Sequence, residues 1–196
     1  VKGPRTSKTA DGISIDLWDL KHRPDPHVLS SWAKHFRRHY CDDEEIDLLR
    51  TGTPYTRAEY LTNMKFPDRN SALGPGIRTG DFAEILIADY LEHVLNYWVP
   101  RVRYERKPVR DESTKGSDIV GFSFQKMEKA SPADTLIIFE SKAQLSGKKA
   151  KQILQRAIDH SAKDELRKAE SLNAITRSMA KMIEFSVPRE LSLTSC

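Results

Sequence analysis

Three times in this chain an acidic residue stands two places before a lysine: Asp19-Leu-Lys21, Glu105-Arg-Lys107 and Glu140-Ser-Lys142. On a strand, residues i and i+2 share a face, so such a pair presents a carboxylate and an ammonium side by side. That combination suits phosphodiester hydrolysis, which needs a nucleophilic water, charge neutralisation at the phosphate and a stabilised leaving oxygen. A divalent metal held by carboxylates supplies most of this. Mg2+ (or Mn2+) takes oxygen ligands and keeps several waters, so two or three carboxylates suffice. A lysine beside them orients the attacking water and stabilises charge on the phosphate.

Of the three pairs, only Glu140 and Lys142 directly follow an apolar run, Leu136-Ile-Ile-Phe139, with Gly116-Ser-Asp118 upstream. If the two segments are strands paired around a turn at Ser131-Pro-Ala-Asp134, Asp118 comes beside Glu140 and Lys142 at one strand end. The competing reading is a strand emerging into solvent with a surface ion pair, and spacing alone does not separate the two. Glu84 is a possible fourth member, expected in the first turn of a buried helix. Asp81-Phe-Ala-Glu84 is also a capping-box pattern, and residue chemistry alone favours the cap.

The elements that must position these groups follow from periodicity. Asp25-Pro26 is a helix start, after which Trp32, Phe36 and Tyr40 recur on one face with Lys34, Arg37 and Arg38 opposite. That basic side reads as a solvated face, with a nucleic-acid surface as the sharper alternative. Thr56-Arg-Ala-Glu59 is a second capping box. Residues 1–75 are therefore expected to form a mainly helical region with irregular connections. Gly74-Pro-Gly76 then punctuates the chain and marks entry to a core over 76–196.

Within that core the pattern predicts a helix over 81–98, ended by Pro100. Strands are expected at 101–105 and 116–124, and a central strand at 135–139 covered on both faces. Helix is expected from Lys148 onward, burying Ile153, Ala157 and Ile158, with more through Leu166, Ala169, Leu172 and Ile175. The expected fold is α/β, a small mixed sheet flanked by helices.

At these residues the chain resembles the PD-(D/E)XK nuclease core, with its restriction-endonuclease-like fold. The likeness covers about 78–165: a helix with a glutamate, a strand with Gly116-Ser-Asp118, then Phe139-Glu140-Ser-Lys142, then a basic helix. It implies that Asp118 and Glu140 bind metal, that Lys142 assists the water, and that Glu84 joins the metal site. Ser117 stands where the superfamily has its nominal proline. Phe36-Arg-Arg-His-Tyr40, Phe66-Pro67 and Arg78-Thr-Gly-Asp81-Phe-Ala-Glu84 further resemble the nuclease subunit of Hachiman-type anti-phage systems, which is encoded beside a helicase. The likeness implies a metal-dependent deoxyribonuclease, a defence effector controlled by a helicase partner that docks on the 1–75 region. The alternative is a non-catalytic nucleic-acid-binding or scaffold module that keeps the nuclease fold.

Gly147-Lys-Lys-Ala-Lys151 and Arg156 open the helix after the proposed site. Lys148, Lys149, Lys151 and Arg156 are candidate phosphate contacts, with a solvated basic face as the alternative. Gln144 would share the face of Glu140 and Lys142 if the strand continues. His35 and His39 stand four apart, but Phe36-Arg-Arg lies between them where a zinc-protease helix needs glutamate. The six histidines and the cysteines, Cys41 and Cys196, offer no zinc-ligand spacing. No phosphate-binding loop or serine nucleophile elbow is present.

Composition sets the bounds. The 196 residues carry a net charge of +4, with 38% hydrophobic and 31% charged residues. This is a globular balance that permits a nucleic-acid partner without requiring one. Two cysteines far apart fit a reducing cytoplasm, and no apolar run approaches the roughly 20 residues of a membrane span. Val1-Lys-Gly-Pro-Arg5 lacks the apolar stretch of a secretory leader. Because the chain starts without Met, the natural protein is expected to extend beyond it.

Overall fold

A computed structural model describes residues 2–21, 23–101, 104, 107, 109–112, 116–126, 129, 131–145, 152–163, 168–173 and 175–177. Contacts divide the chain into two compact units, Val1–His35 and Phe36–Cys196.

The first unit opens with a hairpin in a stretch expected to be helical. Strands β1 (Lys2–Lys8) and β2 (Ser14–Asp19) pair antiparallel, with Lys8 opposite Ser14. The turn chemistry explains it. Thr9 N–H donates to Ile13 O at 2.9 Å, Gly12 N–H to Thr9 O at 3.0 Å, and Gly12 has φ 83°. Asp11-Gly12 thus closes a three-residue hairpin loop whose last position needs the left-handed region. Helix α1 (Pro26–Arg38) begins as expected: Asp25 Oδ1 accepts from His27 N–H at 2.8 Å, with Pro26 at the first helical position.

In the second unit, Phe36 stacks on Phe82 at 5.0 Å and Tyr40 meets Phe66 edge-on at 5.1 Å, so Phe36, in the last turn of α1, and Tyr40, just beyond it, enter the core. Arg37 is paired with Asp43 at 2.6 Å, and Arg38 lies 3.5 Å from Asp42 and from Asp43. These pairs favour the solvated-face reading. Helices α2 (Ile46–Leu49) and α3 (Arg57–Tyr60) are single turns. The capping box at α3 is present: Thr56 Oγ1 accepts from Glu59 N–H at 3.3 Å, and Thr56 N–H donates to Glu59 Oε2 at 2.8 Å. A π-turn over Leu61–Lys65 follows directly.

Helix α4 spans Gly74–His93, not 81–98. Pro75 suits its first turn, where a missing N–H costs nothing, and Ser71 Oγ accepts from Gly74 N–H at 2.9 Å. Asn96, at φ 57°, reverses the chain before Pro100 is reached, and Tyr97 N–H bonds back to Leu91 O at 2.9 Å. One stripe of α4, Asp81, Glu84, Ile85, Ala88 and Leu91, is buried. Ile85 packs with Tyr40 and Tyr104, while Ala88 and Leu91 pack with Val99 and Ile119.

Strands β3 (Ile119–Ser123) and β4 (Thr135–Phe139) pair antiparallel in the register Ile119↔Phe139 to Ser123↔Thr135. Trp98 bridges to Phe122 on the other edge of β3. At the tip, Asp134 accepts from Gln125 N–H and from Ser131 N–H, both at 2.8 Å, which forms the expected turn. A Cβ on Gly121 would come within 2.9 Å of Ile137 and 3.5 Å of Tyr97, so glycine permits that close layer.

The class is mixed α/β. Among the described residues, however, both sheets are two-stranded and antiparallel, and no mixed sheet is seen. β4 is exposed at Thr135 and Leu136 and half-buried beyond, short of cover on both faces. The strand expected at 101–105 falls mostly outside the described residues, and Tyr104 lies in a turn. Helix α5 (Ile153–Ser161) starts behind Gln152 at φ 59°. Ile158, expected in its buried face, is exposed. Lys148, Lys149, Lys151 and Leu166 lie outside the described residues, and no described helix is long and apolar enough to cross a membrane.

Candidate metal-binding active site

The register of β3 and β4 sets the geometry. Continued one step past Ile119↔Phe139, it puts Asp118 opposite Glu140, and cross-strand partners share a face. Ser141 N–H donates to Asp118 Oδ2 at 2.9 Å and ties the two strand ends together. Lys142 Nζ contacts Glu140 Oε1, lies 3.8 Å from Asp118 Oδ2 and donates to Ser141 O at 3.2 Å. The structure thus brings Asp118, Glu140 and Lys142 together.

Glu140 is the most enclosed of the three, its side chain 3% exposed. Its Oε1 is also 3.4 Å from His160 Nδ1 on α5. Its Oε2 is buried with no hydrogen-bond partner among the described residues. A buried carboxylate oxygen without a partner costs more than about 1–3 kcal/mol in lost solvation, so it implies something to bind. Two carboxylates with hard oxygen donors, one of them orphaned, fit Mg2+ or Mn2+.

Glu84 is not the helix-start cap that its residue chemistry favours. α4 starts at Gly74, so Glu84 sits deep in the helix and cannot cap its start. Its Oε2 accepts a 2.5 Å bond from Tyr104 OH. α4 packs on the β3–β4 face that carries Ile119 and Phe139, whereas Asp118 alternates to the other face. Among the described residues, Glu84, Asp118 and Glu140 do not form a group with all ligand atoms within 4.8 Å; Asp89, Glu92 and His93 do. That second group is already served by Arg101, 2.7 Å from Asp89 and in contact with Glu92.

Two of the three acid-x-lysine pairs take other roles. Asp19 lies in the exposed hairpin, 3.5 Å from Arg5. Lys107 Nζ is 3.0 Å from Asp81 Oδ2, with the lysine 3% and the aspartate 8% exposed. Tyr40 OH donates to the same Asp81 oxygen at 2.8 Å, and burial, with Asp81 beside it, pushes the Tyr40 phenol well above its ordinary range. Sequence reading assigned nothing to Asp81, Lys107, Tyr40 or Tyr104 as a group, since their partners are 20 to 41 residues away.

Nothing in the spacing of the six histidines singles out His160, which the structure places beside Glu140. A signal for it existed: it follows Ile153 by seven and Ala157 by three, on the half-buried side of α5. Arg156, one turn earlier, is exposed, and Gln144 is half-buried.

No curated protein and no solved structure matches the chain. One family model, HamA, does match, over residues 3–190. Because that match takes in nearly the whole sequence, the chain belongs to the HamA family, the Hachiman anti-phage defence proteins.

Proposed function

We propose that the chain is a divalent-metal-dependent nuclease that hydrolyses phosphodiester bonds in DNA, acting as an effector of its defence system. The observation that carries this reading is the buried Glu140 Oε2, without a hydrogen-bond partner among the described residues, within a cluster of two carboxylates and a lysine. Asp118 and Glu140 would hold Mg2+ or Mn2+, and Glu84 of α4, bonded to Tyr104, would support that site from outside the pair. When bound, the ion would neutralise phosphate charge and lower the pKa of a water.

The chain's own groups have separate tasks in this scheme. Glu140, enclosed beneath Lys142 and His160, keeps its oxygens away from bulk water and therefore strongly electrostatic. The Lys142 ammonium sits where it can orient the attacking water and stabilise charge on the phosphate. Tyr104 fixes one oxygen of Glu84. Lys148, Lys149, Lys151 and Arg156 would contact phosphates flanking the scissile one.

Control belongs to a helicase partner. The N-terminal hairpin supports a docking role, since Ile13, Leu17, Trp18 and Leu20 are all exposed there. A partner restrains the site only by binding its closed and open states unequally. The alternative, a non-catalytic module, has no use for intact Asp118, Glu140 and Lys142.

Incubation with plasmid, linear duplex, single strands and RNA, with and without Mg2+, tests the reading. Cleavage of DNA that EDTA abolishes and that Asp118→Ala reduces by orders of magnitude is the expected result. Equal cleavage by Asp118→Ala protein would remove the assignment.

A further inference from the structure

The face of β3 and β4 that carries Asp118 and Glu140 ends, at the hairpin tip, in a group of aromatic rings. Phe122 and Phe124 are parallel to within 2° at 5.8 Å between centroids, and Trp98 lies 5.5 Å from Phe122 and 6.3 Å from Phe124. Their order is imposed by the backbone. Phe122 and Phe124 are i and i+2 on one face, and Trp98 is locked beside Phe122 by two backbone bonds, 2.7 and 2.9 Å. Leu136 faces Phe122 from β4. A core cluster of this kind would be covered, yet Trp98 is 37%, Phe124 39% and Leu136 37% exposed.

Charge says what would cover it. Lys126 and Lys129, both exposed, close the loop just beyond Phe124. The nearby described carboxylate, Asp134, is turned inward onto Gln125 and Ser131 N–H groups. Flat rings on a sheet face, flanked by lysines, are the arrangement on which unpaired bases stack while the cations meet the backbone. A duplex keeps its bases stacked on one another and offers nothing to those rings. By alternation Phe122 lies four residues, about 13 Å at about 3.3 Å per residue, from Asp118 on the same face.

We propose that Trp98, Phe122 and Phe124, with Lys126 and Lys129, form a stacking platform for single-stranded nucleic acid beside the proposed cleavage centre. The inference rests on the nuclease reading for its purpose, but its test is made in EDTA, where nothing is cut. Failure of cleavage would therefore leave the binding result standing, and failure of binding would leave cleavage to be judged by itself.

The full chain is titrated with fluorescein-labelled oligothymidylate and with a duplex of equal length, reading anisotropy. Single strands should bind more tightly than duplex. Trp98→Ala and Phe124→Ala should each weaken single-strand binding roughly 5- to 100-fold, with a much smaller effect on duplex. Phe124→Tyr should bind as wild type, and Phe124→Leu, which keeps apolar bulk without the ring face, should lose as much as Phe124→Ala. Lys126→Gln and Lys129→Gln should each lower the salt slope by about 0.7. As a check that requires no variant to fold, oligothymidylate should quench wild-type tryptophan fluorescence.

Absent single-strand binding or quenching, parallel losses for duplex, or full binding by Phe124→Leu would each overturn the proposal. So would unchanged single-strand binding in Phe124→Ala together with loss of a co-purifying helicase, because the patch would then be a protein-docking surface.

Discussion

Two clusters in this molecule contain the same ingredients, two carboxylates and a lysine, and they are built to opposite ends. Along α4, Asp81 is met by Lys107 and Tyr40, and Glu84 by Tyr104. Asp81 and Glu84 stand one turn apart, and Lys107 and Tyr104 are likewise three residues apart, so the 104–107 segment is fastened to the helix at two points. At the strand end, Lys142 contacts Glu140 and approaches Asp118, His160 stands 3.4 Å from Glu140 Oε1, and Glu140 Oε2 is still left over among the described residues. The first cluster carries buried cation, anion and phenol in matched positions, which is what a structural clamp requires. The second retains, among the described residues, a buried acceptor without a partner beside the partly exposed side chains of Lys142 and His160, which is what a site requires.

Breaking the clamp should have the larger effect on stability. Lys107→Met removes the cation from buried Asp81 and leaves it the Tyr40 phenol as its hydrogen-bond partner among the described residues, and should cost about 3–5 kcal/mol in urea unfolding. Loss of Lys142 from its more exposed position should cost far less. A Lys107→Met protein as stable as wild type would erase the distinction between the clusters.

Glu84 belongs to both regions, and its substitution shows which claims it. Gln keeps an acceptor for Tyr104 OH, so Glu84→Gln should fold normally. If Glu84 serves the strand-end site from outside the tight pair, cleavage should fall about 10- to 100-fold, the range for groups that support a metal site. Full cleavage would assign Glu84 to the clamp alone.

The smallest effect belongs to the basic run after the site. If Lys148, Lys149 and Lys151 meet phosphates, each alanine substitution should weaken duplex binding for all sequences alike and lower the salt slope by about one unit. An unchanged slope in the triple variant would make that run a solvated face.

The strand-end cluster was legible because its parts are local. An apolar run followed by Glu140-Ser-Lys142, a turn at Ser131–Asp134 and a strand that starts just after Asp118 fix the pairing register between them. Glu105-x-Lys107 looked the same in sequence, and only tertiary pairing with Asp81 showed Lys107 to be part of a clamp. Helix α4 starts before the expected 81 because Gly74-Pro-Gly76 is no break, Pro75 being at home in a first turn, and it stops short of 98 because Asn96 takes the left-handed region. Asp11-Gly12 was a readable hairpin signal that the helical expectation for the N-terminal region obscured. The expected mixed sheet needs a third strand at 101–105, which lies mostly outside the described residues, and sheet neighbours are chosen by packing, which no single segment encodes.

The central claim is that the strand-end cluster binds metal and the α4 cluster does not, and a thermal unfolding titration with Mg2+ and Mn2+ tests it most directly. A ligand that binds only the native state stabilises it by about 2.7 kcal/mol at a hundred times its Kd. Wild type, Asp81→Asn and Glu140→Gln should be compared for the gain caused by metal, whatever their starting midpoints. Equal gains in wild type and Asp81→Asn, with none in Glu140→Gln, are predicted. A Glu140→Gln protein that gains as much as wild type would contradict the account.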